Sequence, residues 1–169
     1  MKKLILLAVL VAAPVSAHVV FSPGRATAGS YHAGVLRVGH GCGTEATTAI
    51  RVEIPEGITV ARAQPKPGWT IEVEQAALAA PIVADGKTLT ARVASITWRG
   101  ELAADQFDDF GLMLKLPPER TGPLALPVVQ HCGNSEVRWD QVPVEGQAHG
   151  ASPHPAPILD VSASDARGH

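Results

Sequence analysis

Apolar and polar residues alternate with a period of two along much of this chain. Across residues 48–54, Ile50, Val52 and Ile54 fall on one face and Arg51 and Glu53 on the other. That is the pattern of a strand with one buried and one wet face. The same period recurs at 94–98, 110–116 and 136–140, and shorter runs predict strands at 19–21, 35–38, 69–74 and 124–130. The 14 prolines and 16 glycines fall largely between these runs, where Pro presets φ and Gly supplies the positive φ that turns require. Short strands joined by turns predict an all-β fold, an antiparallel β-sandwich. Three stretches break the pattern. Residues 78–84 are expected to form a loop or one helical turn ahead of a hairpin turn at Asp85-Gly86, and 101–107 a short helix crossing between sheets. Beyond Pro143 the composition shifts to Gly, Ala, Ser, Pro and His, so residues 145–169 are expected to form a flexible tail. Within it only Ile158, Leu159 and Val161 are apolar enough to dock on a sheet edge.

The apolar run at 4–13 has a different meaning. Lys2 and Lys3 precede it and Val15-Ser16-Ala17 follows it, which makes residues 1–17 a secretory leader with cleavage after Ala17. The run is shorter than the roughly 20 residues a membrane-spanning helix needs, so the expected product is periplasmic or secreted, without a stable membrane anchor. Its first residue would be His18. A free α-amine beside an imidazole closes a six-membered chelate through Nδ1, and nitrogen donors in a tetragonal arrangement suit Cu(II). Before cleavage the same nitrogen is an amide, so the chelate forms only after export.

Charge and cysteine count narrow the alternatives. The formal net charge is −2 and the sequence pI near 6.4, which leaves no basic footprint for nucleic acid or an anionic membrane surface. A small ion or a protein is the expected partner. Two cysteines in an exported chain predict one disulfide, Cys42–Cys132. If it forms, strand alternation puts His40 and Gln130 on the cysteines' face and turns His131 away. His40 then reads either as a metal ligand or as a hydrogen-bonded structural histidine. Trp139 fits either a sandwich core or a place beside the metal, whereas Trp69 and Trp98 read as packing. His149, His154 and His169 are spaced along the expected tail, solvated or picking up copper weakly. No Ser-His-Asp arrangement, phosphate-cradling glycine loop or paired-cysteine zinc spacing is recognisable.

His18, His40-Gly41-Cys42, the segments at 51–57 and 65–69, Ile96-Thr97-Trp98, the segment at 128–132 and Arg138-Trp139 together resemble the YcnI-like copper-binding domain, in order and spacing, from His18 to about Pro143. The resemblance implies an immunoglobulin-like β-sandwich over 18–144 that holds Cu(II) through a monohistidine brace, the amine and imidazole of its first residue. It also implies a further carboxylate ligand, for which Glu45 lies nearest and His40 is the substitute, and a tryptophan near the copper, best matched by Trp139. Three functions follow as expectations. The first is a periplasmic copper carrier or chaperone exchanging the ion with another exported copper protein. The second is a copper oxidase or monooxygenase, disfavoured by the low aromatic content of 3 Trp, 3 Phe and 1 Tyr. The third is an interaction domain for which metal is incidental.

Overall fold

The computed structural model describes residues 18–84, 86–142 and 152–164. The expected leader at 1–17 therefore lies outside the described residues, as do 145–151 and 165–169 of the expected tail. Among the described residues, twelve strands form three sheets. The first sheet pairs β1 (Val20–Ser22), β3 (Tyr31–Val38), β8 (Asp108–Lys115) and β5 (Val60–Ala63), in that order. The second runs β11 (Ser135–Trp139), β10 (Val128–Cys132), β4 (Thr47–Glu53), β7 (Lys87–Leu102) and β6 (Thr70–Ala84). All pairings in these two sheets are antiparallel. A small third sheet sets β12 (Ile158–Ser162) between β2 (Arg25–Thr27), to which it is parallel, and β9 (Gly122–Ala125).

The alternation that predicts the strands also builds the core. Ile50, Val52, Ile96 and Trp98 from the second sheet and Leu36, Phe110, Leu112 and Leu114 from the first belong to one buried cluster. Phe110 is gripped edge-on by Trp69 at 4.8 Å and Trp98 at 5.7 Å between ring centroids, a geometry that sets a positive ring edge against a negative face. Both tryptophans pack, as expected. On the wet face of the second sheet, Arg51 reaches Glu53 at 2.9 Å and Glu74 at 2.8 Å. Hydrogen bonds from Arg51 and then Ser95 hold the Glu74 carboxyl below the usual carboxylate range.

Four expectations need correction. Residues 78–84 are neither loop nor helical turn: β6 runs to Ala84, with a register break between Ala77 and Ile82 after which Ile82, Val83 and Ala84 pair with Leu89, Thr88 and Lys87. Residues 101–107 are not a helix, because β7 continues to Leu102 to pair with Thr47 and one turn then leads into β8. The run at 124–130 is two strands in different sheets. Pro127 has no N–H for a ladder, and the chain changes sheets there, the Pro127 carbonyl accepting from Glu53 N at 2.9 Å. Finally, the expected tail at 145–169 contains β12, with Leu159 and Val161 buried. The domain therefore runs past residue 144, because a strand with two waiting edges can bury its apolar face despite a poor local composition.

Candidate metal centre

One end of the sandwich gathers the site from both main sheets. In β1, Val20 pairs with Arg37 and Phe21 with Leu36. Buried Val19 and Phe21 anchor the segment just after His18. From the other sheet comes Trp139, the last residue of β11, paired with Val128. Its side chain is only 5 % exposed, and the half-buried His18 ring meets it edge-on, 6.0 Å between centroids at 69°. Trp139 is thus both a core residue and the neighbour of His18.

Gln130 fixes the indole. It is 2 % exposed and lies on the inner face of β10, as alternation predicts. Its Oε1 accepts from Trp139 Nε1 at 3.1 Å, while its Nε2 donates to the His40 carbonyl and to Thr47 Oγ1, both at 2.8 Å. A buried amide with all these groups partnered holds three segments in register at little cost, and removing it strands them. Replacing Gln130→Ala is therefore expected to cost about 2–4 kcal/mol, read from urea unfolding, and to change the near-ultraviolet circular dichroism of Trp139.

His40 enters this network by its backbone. The chain bends at 39–41, its ring Nδ1 is hydrogen-bonded to the Gly41 carbonyl, and its own carbonyl faces Gln130. The chain is bent rather than extended at His40, and the next residue packs too closely for any side chain. A Cβ on Gly41 would lie 2.1 Å from the Glu45 carbonyl and 2.9 Å from Ala104 Cα. The expected disulfide is present, Cys42 to Cys132 with Cα atoms 5.9 Å apart. It pins the loop carrying His40 to the end of β10.

Glu45 lies at the other end of that hairpin from the indole. Its carboxylate accepts from Ser135 Oγ at 2.8 Å beside Gly133. Trp139 is four residues farther along β11, about 13 Å at strand rise. His131 faces outward, as alternation predicts, 3.7 Å from Glu136.

One ring at this end was not part of the expected site. His154 stands edge-on to the same indole, 5.3 Å between centroids at 77°. Sequence placed it in a mobile tail, and only the docking of 152–162 brings it here. The single sequence signal for that docking is the Ile158, Leu159, Val161 pattern.

Among the described residues, no group of three or more His, Cys, Asp or Glu side chains is placed to hold a metal ion. A brace does not need such a group, since it uses one imidazole and the backbone nitrogen of the same residue. His18, half-buried against Trp139 at the sandwich end, fits that donor set.

Residues 18–161 match the family described as Domain of unknown function (DUF1775). This chain belongs to the DUF1775 family. YcnI-like proteins are members of it, and the match ends within β12, in agreement with a DUF1775 domain that extends past residue 144. An uncharacterized protein from Nocardia farcinica, whose crystal structure reveals an immunoglobulin-like fold, is similar to this DUF1775 chain. The two are 28% identical, the match covers 87% of this chain and 99% of that one, and the TM-score is 0.66. The architecture described above is accordingly an all-β, immunoglobulin-like sandwich. No curated protein matches this sequence.

Proposed function

We propose that this DUF1775 protein is an exported copper carrier that takes up Cu(II) as cargo at its first mature residue, through the α-amine and imidazole of His18. The observation that carries this reading is the half-buried His18 ring set edge-on to Trp139, whose own position is locked by Gln130. A chain end is ordinarily frayed. Buried Val19 and Phe21 beside His18 support the reading, since a residue tethered to them would lose little ordering on binding an ion. The family match beginning at His18 also supports the reading.

The protein's part in the chemistry is to present two nitrogens and a protecting wall. An α-amine ordinarily titrates near pH 7.7–8.0, so the ion must displace a proton and affinity falls as pH drops. Trp139 keeps water from one side of the imidazole. Few strong donors converge here, which suits a site that releases its cargo by ligand exchange to another exported copper protein.

The test uses the mature chain beginning at His18, given Cu(II) and then desalted. One copper retained per chain is expected, together with quenching of tryptophan fluorescence that is largely lost in Trp139→Phe. Copper that washes out would leave an interaction domain for which metal is incidental. Sustained peroxide consumption with substrate oxidation would replace the carrier by an oxidase.

A further inference from the structure

His154 has a fixed place and an unassigned role. Its backbone is clamped to Gln141 just beyond β11: Gln141 N donates to the His154 carbonyl at 3.2 Å, and His154 N donates to Gln141 Oε1 at 3.1 Å. Ala156 N then donates to the Gln141 carbonyl at 2.9 Å, and Gln141 and Pro155 form a parallel bridge. From there buried Ala156 and Pro157 lead into β12, whose pairing with β2 and β9 holds the far end. The segment 152–157 is thus a strap fastened at both ends across the edge of Trp139.

The ring on that strap is not used for packing in the way a core ring would be. It is exposed, and among the described residues no hydrogen bond or ion pair engages its nitrogens. An apolar side chain would cover the indole edge as well. What an imidazole adds is a nitrogen lone pair. His18 and His154 each stand edge-on to one indole, at 6.0 and 5.3 Å, so both are anchored to the same rigid side chain.

We infer that His154 supplies a second imidazole to the ion held by His18, making the site an amine and two imidazoles, with the strap as its outer wall. This rests on the copper reading above and extends it with a residue of this chain. Three nitrogens suit Cu(II) in the same way as two and bind it more tightly. Because the strap is already docked, recruiting this nitrogen costs little conformational entropy.

The experiment compares mature wild-type protein with His154→Phe, which keeps a ring against Trp139 but has no donor. Copper affinity is measured by chelator competition, and coordinated imidazoles are counted by pulsed electron paramagnetic resonance of their remote nitrogens. Two imidazoles are expected in the wild type and one in His154→Phe, with affinity lower by roughly 10- to 100-fold. Equal affinity and an unchanged imidazole count in the two proteins would overturn the assignment while leaving the His18 brace intact. Failure of the wild type itself to retain Cu(II) would overturn the copper reading and this extension together. A melting curve of His154→Phe within a degree or two of wild type shows that the strap and sandwich are preserved.

Discussion

Acetylating the amine of His18, or placing four extra residues ahead of it in the mature chain, is expected to lower Cu(II) affinity by roughly 10²- to 10⁴-fold with folding unchanged. The magnitude is that of losing one arm of a chelate: once the ring has bound, the amine of the same residue is present at a high effective concentration, and blocking it removes that advantage. Folding is spared because β1 starts at Val20 and is anchored by buried Val19 and Phe21, whereas His18 is only half-buried at its edge. A four-residue extension is preferred to a single inserted residue, whose new amine would lie within chelating reach together with the His18 amide nitrogen and ring. Chelator competition gives the affinity, and near-ultraviolet circular dichroism reports on Trp139 and the fold. Affinity equal to that of the free-amine protein would mean that copper is held elsewhere on the chain.

Removing the disulfide should give the largest loss of stability. Cys42 and Cys132 are separated by 90 positions, and for a loop of that size the chain-entropy model predicts about 4–5 kcal/mol. In a domain of this length that corresponds to a fall in melting temperature of roughly 10–18 °C. The double variant Cys42→Ala, Cys132→Ala is the appropriate probe, since it leaves no free thiol. Thermal unfolding, with and without reductant, measures the effect. Reductant should lower the wild-type midpoint toward that of the variant and leave the variant unmoved. The His40 carbonyl is still held by Gln130, so Trp139 should keep its place in the folded variant. A midpoint within two degrees of wild type would show that β4–β10 pairing alone secures this loop.

Much of the architecture can be read directly from residue order. Period-two alternation gives strands wherever one face is core and the other water, as in β4, where Ile50 and Val52 are buried and Arg51 and Glu53 pair with each other across the wet side. The reading fails where a partner edge rather than the local pattern makes the strand. β2 is three residues long, β5 four, and β12 lies in a segment of tail-like composition; none has enough alternation to stand out. The outer halves of β6 and β7 fail for the same reason, since apolar residues such as exposed Val83 extend there without the core that would mark an inside face.

The site divides along the same line. Residue order by itself determined that two cysteines suit a bridge, that Gln130 shares the face of Cys132 and that Trp139 lies on a strand, and it set the expectation of a leader ending before His18. These are statements about spacing along one chain, and periodicity carries them. Only the tertiary structure decided that the His40 carbonyl rather than its ring meets Gln130, that Glu45 turns to Ser135, and that His154 arrives beside the indole. Each of those depends on a close backbone approach or a docking between segments far apart in the chain. Such contacts are selected by the shape and unpaired hydrogen-bonding groups of the assembled sandwich, which no local pattern encodes.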